Sequence, residues 1–253
     1  MLYNVLYFLC IAAEFVAVPM FLKYYWPQKC KNSFIWKTIA AALFVLCGIF
    51  AMKASGNSSP YADLIVWGLV FGMMGDLFLH ALTKVMWPFV LGVIAFLTGH
   101  IFYIVAIQKA IKTTYPDASV FEWYEIVAIL AVVLITLVWF IIRKIIKKDN
   151  IPMVIGLSAY LVILTSMLVK AFRFVVGEWA YGMNDNMVMI CITVAVGALL
   201  FFTSDITLGL IILKKEKYET RPMRIFNITT YFVAQILLAS SIHFVQSMEI
   251  FGA

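Results

Sequence analysis

The chain has 253 residues, 64% of them hydrophobic and 13% charged, with a mean hydropathy of +1.00. That is more apolar surface than one water-soluble core buries, so a soluble domain is excluded and an integral membrane protein is described. The formal charge of +6 does not indicate a nucleic-acid binder, because the basic residues sit in short segments between apolar runs, where they set membrane topology.

Apolar runs of about 20 residues, enough to cross ~30 Å of hydrocarbon, fall at about 3–24, 34–53, 62–83, 87–108, 121–142, 152–173, 187–213 and 226–247. They predict an all-α, polytopic bundle of eight transmembrane helices forming a single integral membrane domain over 1–253. The first run carries Glu14 and lacks a basic segment before it, so it reads as a membrane helix and not as a cleaved signal. The connections and helix ends of odd number hold Lys23, Lys29, Lys31, Lys37, Lys84, Arg143, Lys144, Lys147, Lys148, Lys214, Lys215, Lys217, Arg221 and Arg224. Those of even number hold only Lys53, Lys109, Lys112, Lys170 and Arg173. The asymmetry predicts odd connections in the cytoplasm and both termini extracytoplasmic. Cys10, Cys30, Cys47 and Cys191 show no C-x-x-C or metal-like spacing and read as packing residues. Oligomeric state leaves no mark in the sequence.

Two segments resemble each other. "GLVFGMMGDLFLHALTK" (68–84) and "GALLFFTSDITLGLIILK" (197–214) each place a glycine eight residues before an aspartate and a lysine eight or nine residues after it. They lie on the third and seventh helices, four apart in order, so the halves, 1–115 and 116–253, share an orientation, as in a parallel repeat about an axis along the membrane normal. A tyrosine follows each aspartate by about 27 residues: Tyr103 and Tyr231.

Polar residues inside the runs fall on helical rows. Gly68, Gly72, Asp76 and His80 share an i+4 row of the third helix; Gly197, Phe201, Asp205 and Gly209 do so in the seventh, and Asn227, Tyr231, Gln235 and His243 in the eighth, with Ala239 between. The glycines admit a close neighbour. Lipid tolerates no such rows, so they are expected to face one shared interior. At about 1.5 Å per residue, Asp76 lies about 12 Å above Lys84 and Asp205 about 13 Å above Lys214, one layer nearer the cytoplasm. Glu14, Tyr231 and Gln235 come within about a turn of that layer, Lys37 lies at its rim, and His100 comes out one to two turns closer to the outside.

A lone intramembrane acid can also be a neutral carboxyl bonded across helices, and His80 and His243, near helix ends, can be interfacial anchors. Two acids at matched depth favour a functional pair, Asp76 and Asp205. No metal is expected: His80, His100 and His243 stand singly on three helices, with no H-x-x-x-H or H-E-x-x-H pair. No G-x-S-x-G elbow and no Walker A sequence are present, which argues against a serine hydrolase and a nucleotide-driven pump.

"GLVFGMMGDLFL", "FLTGHIFYIVA", "GALLFFTSDITLGL" and "TYFVAQILL" resemble, in order and spacing, signature segments of the YhhN family, whose characterised members are lysoplasmalogenases. Gly209 stands where that family more often shows alanine, and Lys37-Thr38 where Lys-Pro is common. The resemblance implies hydrolysis of the vinyl ether of a lysoplasmalogen to a fatty aldehyde and a glycerophospho-ethanolamine or glycerophospho-choline, without a cofactor. The chemistry needs an acid that keeps its proton near neutral pH, which burial beside a second carboxylate provides. Asp76 and Asp205 are the candidate catalytic residues. His100, Tyr103, Tyr231 and Gln235 are candidates for orienting water or glycerol hydroxyls, and Lys37 for meeting the phosphate. The expected partners are the lysophospholipid substrate and membrane lipids. A proton-coupled small-molecule or lipid transporter, and a non-catalytic lipid-binding protein, are the alternative readings.

Overall fold

In hydrocarbon a backbone amide finds a partner only within its own segment, so each apolar run becomes a helix. The structure, a computed structural model, describes residues 1–26, 30–56, 59–80, 87–146, 151–182 and 184–245. Among these the elements are α1 (Leu2–Tyr25), α2 (Lys31–Ala54), α3 (Pro60–His80), α4 (Trp87–Thr114), α5 (Trp123–Ile142), α6 (Ile151–Tyr181), α7 (Asp185–Leu213), α8 (Lys215–Tyr218) and α9 (Arg221–Phe244), with no strand. All but the single turn α8 are long and apolar enough to cross a membrane.

Two boundaries differ from the sequence expectation in a way that matters. Helix α9 starts at Arg221 and not near 226, because the Thr220 hydroxyl accepts from Met223 N (3.5 Å) and Pro222 sits in the first turn. Helix α6 runs on to Tyr181. Lys170 and Arg173, counted as topology charges at the end of the sixth run, therefore lie well inside α6. The Lys170 ammonium is fully buried, 3.0 Å from Glu125 Oε1, and donates to Gln108 Oε1 (2.8 Å) and to the Val120 carbonyl, while Arg173 Nη1 meets Glu125 Oε2 at 2.5 Å. These cations tie α4, α5 and α6 together and report nothing about topology. Lys29, Lys84, Lys147 and Lys148 lie outside the described residues, and with Lys84 goes one end of the depth scale.

Within the first half α1 lies on α2, α2 on α3 and α3 on α4; within the second α5 lies on α6, α6 on α7 and α7 on α9. The halves meet chiefly through α2 against α9 and α4 against α6. Exchanging the halves turns one of these contacts into the other, the pattern a parallel repeat generates. Close approach of α3 to α4 in its own half, and to α9 of the other, depends on its glycines. A β-carbon on Gly68 would fall 2.2 Å from the Tyr103 ring, and one on Gly72 2.5 Å from Gln235 Nε2.

Candidate active site between the two halves

The seam holds a cavity of about 820 Å³ lined by Asp76 of α3, Asp205 of α7, Lys37 of α2 and Tyr231 of α9, with Phe21, Phe96 and Phe232 among its apolar walls. It extends to Lys215, Glu219 and Arg224 at the α7–α9 connection. Both carboxyls are buried and near enough for their charges to interact. Their helices place them there for the reason the i+4 rows give: the glycine side of α3 and the Ser204–Asp205 side of α7 are the faces that meet α9. Ser204 and Asn227 fix that meeting, Asn227 Nδ2 donating to the Ser204 carbonyl (2.9 Å) and Ser204 Oγ to the Asn227 carbonyl (3.0 Å).

Each carboxyl has one partner from the second helix of its own half and one from the last helix of the other. Asp76 has Lys37 Nζ at 2.8 Å from Oδ1, and accepts from the Tyr231 hydroxyl at Oδ2 (2.8 Å). Asp205 accepts at Oδ2 from the hydroxyl of Tyr160 on α6, with His100 Nε2 of α4 at 3.6 Å. His100 Nδ1 lies 2.7 Å from the Phe96 carbonyl, which can only accept; the ring proton is on Nδ1, and the buried Nε2 is a bare acceptor without a hydrogen-bond partner among the described residues.

The sequence candidates thus divide. Asp76, Asp205, Lys37 and Tyr231 line one cavity, and His100 stands directly behind Asp205. Tyr103 and Gln235 are a layer back: Tyr103 OH donates to Gln235 Oε1 (2.7 Å), and Gln235 Nε2 to the Tyr231 hydroxyl (3.1 Å), so both act on Asp76 through Tyr231. His100 is not displaced outward as its count along α4 suggests. At 28 residues α4 is about 42 Å long, so a depth measured from Trp87 begins beyond the apolar layer. Lys37, expected to meet phosphate at the rim, has its ammonium on Asp76. Glu14 is buried and neither of its carboxyl oxygens has a hydrogen-bond partner among the described residues; it lies outside the cavity lining. His80 lines the cavity and meets Ser33 Oγ at 2.9 Å, while His243 stacks on Tyr7 with centroids 4.6 Å apart.

Sequence reasoning missed Tyr160, a lone tyrosine in a helix without an aligned acid, and counted Lys215 and Arg224 as topology charges only. Among the described residues no three His, Cys, Asp or Glu side chains come together as metal ligands would.

A family model, that of the YhhN family, matches residues 32–242. No curated protein and no solved structure is similar enough to match.

Proposed function

The chain belongs to the YhhN family, and from that premise we propose that it hydrolyses the vinyl ether bond of lysoplasmalogens, releasing a fatty aldehyde and a glycerophospho-ethanolamine or glycerophospho-choline. The observation that carries the reading is the pair of buried carboxyls, one from each half, on one apolar-walled cavity with unlike partners. Asp76, with an ammonium on one oxygen, is the anion. Asp205, with a phenol and an imidazole and, among the described residues, no lysine or arginine paired with it, carries the proton.

Asp205 gives that proton to the outer alkene carbon, the carbon–carbon π bond breaks, and the positive charge rests on the oxocarbenium. The Asp76 carboxylate steadies this cation. Water adds to the cationic carbon and loses a proton to His100 Nε2, from which Asp205, 3.6 Å away, recovers it. The hemiacetal collapses to the aldehyde and the free glycerol hydroxyl, so the net change is addition of one water. Vinyl ethers need no metal for this route. Charge asymmetry supports placing the cavity mouth at the cytoplasmic face and both termini outside.

Purified protein in detergent with a lysoplasmenyl lipid should release aldehyde equally with and without a chelator. Turnover lost on chelation would indicate a metal centre. No turnover at all would favour a carrier or a lipid-binding protein, for which a carboxyl pair at the seam of a parallel repeat is also natural.

A further inference from the structure

A phosphodiester entering this cavity needs a cation, and Lys37 is committed to Asp76 at 2.8 Å. The mouth supplies others. Arg224 Nη2 donates to Glu219 Oε1 at 2.8 Å, and Lys215 Nζ lies 3.2 Å from Glu219 Oε2. Two cations share one carboxylate, so this cluster of described residues carries one net positive charge, the complement of one phosphodiester. The Arg224 guanidinium is held in place: its carbon is 5.4 Å from the Tyr25 ring centroid, and its side chain is 15% exposed. Its Nε is buried without a hydrogen-bond partner among the described residues. The side chain lines the cavity, and the planar fork of a guanidinium is suited to bidentate binding of phosphate oxygens.

Position agrees with this. Arg224 and Tyr231 are seven residues apart on one face of α9, about 10 Å along the axis, and the Tyr231 hydroxyl touches Asp76. A three-carbon glycerol unit, met by side chains reaching from both ends, covers that distance.

We propose that Arg224, braced by Glu219 and Tyr25 and assisted by Lys215, binds the phosphodiester of a single-chain lipid at the cavity mouth, with the chain-bearing end of the glycerol directed to the carboxyl pair. The inference rests on the proposed reaction for the identity of the lipid, but its test needs no turnover. Binding to protein in detergent is measured for a saturated 1-O-alkyl lysophosphocholine, which protonation cannot cleave, and for 1-O-alkylglycerol, which lacks the phosphate. Arg224→Gln should weaken the first at least tenfold and leave the second unchanged, which also reports that the variant is folded. Arg224→Lys should recover part of the loss, and Lys215→Gln should show a smaller loss of the same kind, deciding the matter if Arg224→Gln does not fold. Equal weakening of both lipids, or of neither, would overturn the assignment. Glycerophosphocholine should compete only at far higher concentration than the lipid; competition on equal terms would identify a soluble phosphodiester as the ligand and overturn the lipid assignment. Absence of aldehyde release would sink the reaction proposed above while leaving this binding test intact.

Discussion

The two carboxyl centres are equivalent by position and unlike in chemistry. Asp76 and Asp205 sit on the third helix of each half, and each is met by the second helix of its own half and the fourth of the other. Yet the first receives a lysine and a tyrosine, and the second a tyrosine and a histidine. Both acids line one cavity, and their neighbours differ. A pair with identical surroundings would share one proton evenly, whereas the proposed reaction gives this pair one anion and one donor.

The strongest way to break the comparison is at the carboxyls. Asp205→Asn should lower aldehyde release by at least about 10³, measured as kcat, while the melting temperature in detergent stays within a few degrees of wild type. Asp76→Asn should abolish turnover comparably. Substantial activity in either variant would refute the division of labour.

Removing one partner of a buried ion pair leaves an uncompensated charge, so Lys37→Met should destabilise by about 3 kcal/mol, read by detergent-phase denaturation. Adding Asp76→Asn should return most of that stability and none of the activity, a non-additivity that a double-mutant cycle detects. Tyr160→Phe leaves Asp205 without its hydroxyl donor and should cost about 1.5 kcal/mol of transition-state stabilisation, roughly tenfold in kcat. Between α3 and α4, Gly68→Ala pushes on an aromatic ring with a 2.2 Å contact to relieve and should destabilise by about 2 kcal/mol. Gly72→Ala meets the end of a flexible glutamine and should be milder in stability.

The smallest effect is at the mouth. Burial works against the Glu219 charge, but hydrogen bonds and charges from Arg224 and Lys215 outweigh it and hold this carboxyl below the ordinary glutamate range. A depressed carboxyl contributes stability that is present above the unfolded-state pKa of about 4.3 and lost as pH falls through the folded value. The melting difference between wild type and Glu219→Gln should therefore be constant from neutral pH down to about 5.5 and shrink below about pH 4. A difference that persists at pH 3 would mean the clamp is not electrostatic.

The membrane-spanning helices and the polar rows of α3, α7 and α9 were legible in the sequence because hydropathy and a four-residue period are local properties. So was the facing of Asp76 and Asp205 onto one interior. Partner identity was not. Tyr160 and Lys37 reach the acids from other helices, and no local pattern encodes which side chain a neighbouring helix will present. Lys170 shows a second limit: counted as a topology charge at a helix end, it is instead held inside by Glu125 and Gln108, partners on other helices that the sequence does not identify. Arg224 shows a third, since a topology signal and a ligand contact are the same residue type at the same membrane depth.

The file Tyr103, Gln235, Tyr231, Asp76 has a polarity. Every link donates in one direction, and it ends on an oxygen that only receives. Gln235 interrupts it as a proton wire, because a carboxamide takes a hydrogen bond on its oxygen and gives one from its nitrogen without readily passing a proton between the two. The file therefore insulates Asp76 from the far leaflet. Protons that set the charge state of the carboxyl pair would then exchange through the mouth, so the proposed reaction in reconstituted protein should follow the acidity of one compartment and ignore a gradient across the bilayer.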